Sequence, residues 1–268
     1  MAEDYRSKLF SSYNATHVAY LDADDRSKLD FFLEYARVNY LPHLEHLNRN
    51  SEVLEIACNK GYLLAALHVF QFKNLYGIDL SPLDVEKAKQ IVPAAEVSYA
   101  DAFDYLQKNG ERFDVIILKA VLEHVRKHQI IPLLEAIKSS LKPGGIVVVD
   151  VPNMDWLFAQ HERYMDFTHE VGFTRESLAQ VMRQVFSSVD VQKGRPAMSP
   201  GFKSRVEVHL RRILVFSLNR VFRLVGEGAS DTWWDSRSII GIGKENSHEN
   251  QNLSAFTAGP VTRDLRIN

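Results

Sequence analysis

Between residues 51 and 151 the chain alternates short, nearly unbroken apolar runs with longer stretches whose apolar residues recur at helical spacing. The runs at 51–57, 75–80, 96–99, 113–118 and 146–151 read as strands, the last almost wholly β-branched. Segments 61–70, 82–91 and 130–141 read as helices. Pro82 sits where a first helical turn tolerates it, and Lys142-Pro143-Gly144-Gly145 ends the third. Further on, 174–185 carries a helical stripe with Thr174 as N-cap and Ser177 in the first turn, and 186–192 and 238–243 supply two more strands. Upstream, Leu29, Phe32, Leu33, Ala36 and Tyr40 share helical spacing, so 1–50 is expected to form a helical cap. Strands alternating with helices predict a three-layer α/β sandwich around a mainly parallel seven-stranded sheet. The main domain is expected over 51–244 with an insertion at about 195–237, followed by a polar, flexible tail over 245–268.

Composition narrows the class without naming a chemistry. The 268 residues are 46% hydrophobic and 25% charged, as in an ordinary globular enzyme, and the formal net charge of −2 gives no bulk attraction to nucleic acid. Cys58 is the single cysteine, which excludes an internal disulfide and any multi-cysteine zinc site. The opening Met-Ala-Glu-Asp lacks the basic-then-apolar layout of a signal peptide, and no run reaches about 18 apolar residues. The expected location is the cytoplasm.

In parallel sheets of this kind ligands bind beyond the carboxyl ends of the strands. The first strand–helix turn here is Glu55-Ile56-Ala57-Cys58-Asn59-Lys60-Gly61-Tyr62. Glycine in such a turn lets backbone approach a ligand, and the N–H groups opening the helix favour an anion. Eighteen residues beyond Gly61, Asp79 stands where a carboxylate can accept both hydroxyls of a ribose. These features suit any adenosine-containing ligand and leave NAD, FAD and S-adenosylmethionine open.

At these residues the chain resembles class I, Rossmann-like S-adenosylmethionine-dependent methyltransferases. The family's first motif, E/D-x-G-x-G-x-G, has its counterpart in Glu55–Gly61, with Ala57 and Asn59 replacing two glycines. Alanine reads as a mild change, and asparagine tolerates a positive φ better than most residues. Gly77-Ile78-Asp79-Leu80-Ser81-Pro82 is similar to the ribose-binding strand end, and Tyr99-Ala100-Asp101-Ala102-Phe103 to the adenine-contacting segment. Phe113–Ile117 with Val121-Leu122-Glu123-His124-Val125, and Leu141–Gly145, resemble the fourth strand with its successor and the approach to the fifth. The five motifs stand in order across about residues 50–190. The resemblance implies S-adenosylmethionine as cofactor, held by Glu55, Ala57, Cys58, Asn59, Gly61, Asp79, Leu80, Asp101, Ala102 and Lys119. Asn59-Lys60 would crowd a dinucleotide pyrophosphate, whereas a methionine tail could give its amine to Glu55 and its carboxylate to the turn N–H groups. Taken singly, Asp79 could be a turn residue, Asp101 a helix cap and Cys58 a packing residue.

Methyl transfer to a hydroxyl needs alignment and the removal of one proton. The segment after the fifth strand offers Asp166 and His169, three apart, as an orienter and a general base, or else as caps for the helix near Thr174. His124 is the second candidate base. Ala120 stands three before Glu123, so a further ligand near the Glu123-His124 pair is missing and no metal site is expected.

The insertion holds a basic, amphipathic stretch over 204–225. Lys203, Arg205, Arg211, Arg212, Arg220 and Arg223 oppose Glu207, and Val206, Leu210, Ile213, Leu214, Val221 and Val225 share a helical stripe, with Trp233-Trp234 following. It suits the headgroup layer of an anionic membrane, or packing on the sheet or in a dimer. With Tyr164-Met165-Asp166-Phe167-Thr168-His169, it is similar to methyltransferases of bacterial surface-polysaccharide and lipid-linked glycan pathways. That resemblance implies O-methylation of a sugar hydroxyl, at the cytoplasmic side and in peripheral contact with the membrane. A small-molecule O-methyltransferase acting on a quinone or natural product, and a non-catalytic cofactor-binding protein, are the rivals.

Overall fold

The structure, a computed structural model, describes Leu9 and residues 25–197, 202–225 and 232–244; for 202–205 and 225 it describes the backbone alone. The tail over 245–268 and most of 1–24 lie outside the described residues.

The first helices among the described residues are α1 (Asp25–Asn39) and a short α2 (Leu41–Leu44), within the stretch whose spacing predicts helix. Then β1 (Glu52–Ile56), α3 (Tyr62–Val69), β2 (Asn74–Asp79), α4 (Pro82–Ile91), β3 (Glu96–Tyr99), α5 (Ala102–Lys108) and β4 (Phe113–Lys119) follow in alternation. Next come α6 (Ile130–Ser140), β5 (Leu141–Pro152), α7 (Ala159–Tyr164), α8 (Arg175–Met182), β6 (Ser188–Lys193), α9 (Phe202–Val225) and β7 (Ser238–Lys244). Helix α5 was not expected from the sequence. It is short, and Asp101 begins it by accepting from the N–H groups of Phe103 and Asp104. Thr174 caps α8 in a reciprocal capping box with Ser177.

The seven strands form one sheet in the order β3-β2-β1-β4-β5-β7-β6. β1 pairs in parallel with β2 and β4, and β4 with β5, whereas β7 runs antiparallel between β5 and β6. Alternation along the strands builds two cores. Val53, Val115, Ile117 and Val148 pack with α1, α3 and α4 on one face, while Leu54, Ile116, Leu118 and Val147 pack with α6 and α8 on the other. This is the expected Rossmann-like sandwich. The chain leaves β1 toward β2 on one side and later enters β4 on the other, so the order reverses between β1 and β4. A crevice opens there beyond the carboxyl ends.

Candidate active site

The turn after β1 borders this crevice. Ala57, Asn59 and Gly61 all adopt left-handed backbone, with φ of 55°, 47° and 78°. The two residues that replace glycines therefore keep a glycine-like path. For Ala57 this is no mild change, because a Cβ in that region costs about 1 kcal/mol. Gly61 serves packing: a Cβ there would stand 3.0 Å from Ala88 Cβ and 3.1 Å from Val92 Cγ1 on the α4 side.

The N–H groups of the turn are already engaged. Cys58 donates to Ile78 O (2.9 Å), Asn59 to Asp79 Oδ2 (2.8 Å), Lys60 to Asn59 Oδ1 (2.8 Å) and Gly61 to Cys58 O (2.9 Å). The expected cradle of N–H groups for a carboxylate is thus used to hold the turn itself. Asp79 joins the first two strand ends, since its other oxygen accepts from Ser81 N–H at 2.8 Å. Burial raises its pKa and these N–H donors oppose the rise. Leu80 beside it is exposed. Asp101 spends Oδ1 on capping α5, at 2.9 Å from Phe103 N, with Ala102 as the first helical residue. Cys58 is buried, and burial pushes its thiol up, away from nucleophilic use.

Behind the turn lies a charged cluster. Glu55 is buried and its Oε2 has no hydrogen-bond partner. Burial holds its carboxyl well above the usual range, opposed by nearby Lys119 and by the Leu64 N–H. Lys119 ends β4 and enters the site with its side chain, not only its backbone. Its Nζ lies 3.7 Å from Asp150 Oδ2 and 4.6 Å from the centre of the Tyr35 ring. Asp150 on β5 accepts from the phenols of Tyr35 (2.8 Å) and Tyr40 (2.5 Å). Burial and Asp150 hold both phenols well above the ordinary tyrosine range, so they remain donors. The helical cap is thereby pinned to the crevice through residues that sequence reasoning passed over.

The far side of the crevice is built from loops sewn together by backbone. Glu170 and Val171 donate to Glu123 O at 2.8 and 3.1 Å, and Arg163 donates to the carbonyls of His169 and Glu170 at 2.6 and 3.2 Å. His124 and His169 meet with ring centres 4.7 Å apart at 62°. The sequence expectation paired Asp166 with His169, whereas Asp166 Oδ1 accepts from Thr168 N (2.8 Å) and Oγ1 (2.7 Å), and Thr168 Oγ1 lies 2.8 Å from His124 Nδ1. With its only hydrogen given to Asp166, the hydroxyl must accept from His124. Asp166 therefore acts toward His124, because Thr168 stands between them. His169 Nδ1 lies 2.8 Å from Glu162 O, which can only accept. In each neutral ring Nδ1 carries the hydrogen and Nε2 the lone pair.

Glu123 completes the group. It is 2% exposed, neither carboxylate oxygen has a hydrogen-bond partner, and burial pushes its pKa up to about 8. One ligand atom from each of Glu123, His124 and His169 lies within 4.8 Å of the others, a set able to hold a divalent cation. The expectation that the Glu123-His124 pair lacks a further ligand is overturned. Ala120, three residues upstream, offers no ligand, whereas the fold brings His169 from beyond β5. The sequence signal for Thr168 is its place in Asp166-Phe167-Thr168-His169, between the candidate orienter and the candidate base.

A family model described as "Methyltransferase domain" matches residues 26–185. Among curated relatives, the chain is 32% identical over 108 residues to a trans-aconitate 2-methyltransferase of Paracidovorax citrulli, covering 40% of this chain and 41% of that protein. It is 26% identical over 151 residues to a ubiquinone biosynthesis O-methyltransferase of Bartonella tribocorum, covering 54% of this chain and 55% of that one. The chain thus spans about half the length of these relatives. Of solved structures, a SAM-dependent methyltransferase from Archaeoglobus fulgidus superposes with a TM-score of 0.60 at 19% identity, covering 90% of this chain and 100% of that chain. A Haemonchus contortus phosphoethanolamine-type N-methyltransferase in complex with S-adenosylhomocysteine gives 0.59 at 15% identity, covering 92% of this chain and 61% of that one. These two structures share the fold.

Proposed function

The chain belongs to the methyltransferase-domain family, matched over residues 26–185, and from that premise we propose that it O-methylates a sugar hydroxyl of a surface or lipid-linked glycan. S-adenosylmethionine supplies a methyl carbon already activated by its sulfonium and leaves as a thioether. Glu55, with its orphaned Oε2, is the partner for the methionine ammonium, and Lys119 is the cation available to its carboxylate. Asp79 has lone pairs remaining for the ribose, and exposed Leu80 and the start of α5 at Asp101-Ala102 face the adenine.

The observation that carries the O-methyl reading is the pair of imidazoles whose Nδ1 hydrogens are committed, leaving Nε2 as the basic nitrogen of each. His124 takes the hydroxyl proton as the acceptor oxygen attacks the methyl carbon, and the C–S electrons pass to sulfur. The Asp166–Thr168 chain holds the ring and stabilises the imidazolium formed. Tyr164 and Phe167, both exposed near His169, offer faces on which a sugar ring can stack. The test is tritiated methyl transfer from S-adenosylmethionine into glycan acceptors, with quinone precursors alongside. Label in sugar hydroxyls is expected; label in the quinone alone favours the small-molecule reading, and cofactor binding without transfer to any acceptor favours a non-catalytic protein.

A second reading rests on the two unpartnered oxygens of Glu123. Glu123, His124 and His169 would hold a divalent cation that lowers the acceptor pKa and takes the place of the base. Each histidine already gives its other nitrogen to an oriented acceptor, as metal-bound imidazoles do. Activity lost to a chelator and restored by a divalent ion selects this reading; activity indifferent to both selects the general base.

A further inference from the structure

Helix α9 (Phe202–Val225) stands outside the three layers, and its orientation is opposite to what packing on the sheet would require. At 100° per residue, the partly buried Val208, Val215, Leu218, Asn219 and Phe222 lie on one side. Asn219 accepts from Trp234 Nε1 at 2.8 Å, Phe222 meets the Trp234 ring edge-on at 5.2 Å, and Arg211 donates to Asp235 O at 2.5 Å. The stripe of Val206, Leu210, Ile213, Leu214, Val221 and Leu224 falls within about 100° on the other side. All six are exposed, Leu210 to 60%, Ile213 to 64% and Leu224 to 86%. A soluble helix buries its apolar stripe; this one presents it.

We infer that α9 is a docking surface for an anionic lipid bilayer, lying flat in the headgroup layer. Charge decides the occupant. Arg212, Arg220 and Arg223 follow one border of the stripe, with Arg220 over the Phe216 ring at 5.0 Å. Residues 206–224 carry four arginines against one glutamate, in a chain whose formal net charge is −2. A second copy packed antiparallel on the same stripe would set arginine border against arginine border, an arrangement that repels. Anionic headgroups complement it. No described helix is long and apolar enough to cross a membrane, and an amphipathic helix lying in the interface need not be. The segment that holds α9 also braces the acceptor loop. Trp233 O and Ser236 O accept from the buried Asn153 Nδ2, Trp234 O accepts from Leu157 N, and Arg237 pairs with Glu162 at 2.8 Å. The inference stands apart from the acceptor reading, since it needs no particular sugar.

The test uses the full chain in co-sedimentation with phosphatidylcholine vesicles, with and without 30% phosphatidylglycerol as a chosen probe composition. At least about tenfold tighter binding to the anionic vesicles is expected, weakening about fivefold for each of Arg212→Gln, Arg220→Gln and Arg223→Gln. The triple variant Leu210→Glu/Ile213→Glu/Leu214→Glu alters only exposed positions and should abolish binding while S-adenosylhomocysteine affinity is kept, which shows the fold intact. Equal binding to both vesicle types, no binding to either, or unchanged binding by the triple variant would overturn the inference. A dimer in light scattering that the triple variant dissolves would overturn it too and assign the stripe to self-association. Transfer of label to a soluble glycan tests the proposed function separately, whatever the vesicles show.

Discussion

Glu55 and Glu123 follow the same rule of burial in the two halves of the site, and they differ in what the fold leaves for them. Each is a buried carboxylate drawn upward in pKa by desolvation. Glu55 stands on β1 just before a turn knit by its own N–H groups, receives the Leu64 N–H, and keeps one orphaned oxygen. Glu123 stands in a loop held by its main chain, with both oxygens orphaned beside two imidazoles. The cofactor half is thus finished except for one cationic donor, while the acceptor half leaves a whole carboxylate without a hydrogen-bond partner beside two imidazoles. The first half reads as a fixed socket and the second as the place where chemistry is done.

The sharpest way to break this division is His124→Ala, which should lower turnover by about 100-fold or more while leaving S-adenosylhomocysteine affinity within about twofold by calorimetry. A variant with weakened cofactor binding and normal turnover would erase the boundary between the halves. Next in size, Glu55→Gln should reduce cofactor affinity by about tenfold, the scale of a charge-assisted hydrogen bond, whereas Glu123→Gln should spare that affinity and depress turnover. The same Glu55→Gln change should stabilise the unliganded protein. A carboxyl whose folded pKa is raised costs stability as pH climbs above its unfolded value near 4.3. The melting-temperature gain of the glutamine variant should therefore widen from pH 5 toward pH 8, and a gain constant with pH would refute the assignment. Thr168→Val comes third, with about a tenfold loss in kcat and a shifted acid limb in the pH–rate profile, because the residue positions His124 without meeting the acceptor. Smallest is Ala57→Gly, which relieves left-handed strain and should add about 1 kcal/mol in urea denaturation.

The alternation of apolar runs made the sheet legible, because parallel strands buried on both faces have no other way to be written. β3 and α4 fall at the expected residues. Helix α5 carries no periodic signal, since Ala102–Lys108 is too short, and its one trace in the sequence is Asp101, which reads as a helix cap when taken singly. The cofactor half was legible as a list of residues, since its motifs are contiguous, but not as a network. Nothing in Asn59-Lys60-Gly61 announces that its N–H groups turn inward. The acceptor half depends on 44 residues of intervening chain folding His169 back onto His124, and proximity of that kind has no sequence period. Likewise, the stripe on α9 was readable while its direction was not, because direction is set by Trp234 and Asn219.

The self-satisfied turn after β1 has a consequence for how the catalyst would be governed. The contacts assigned to the donor concern its ammonium, carboxylate, ribose and adenine, all of which survive demethylation unchanged. A socket already rigid before binding gains nothing by closing around the methyl group, so spent and fresh donor should compete on nearly equal terms. The reaction would then run at a pace set by the ratio of the two in its surroundings, with removal of the by-product acting as the throttle.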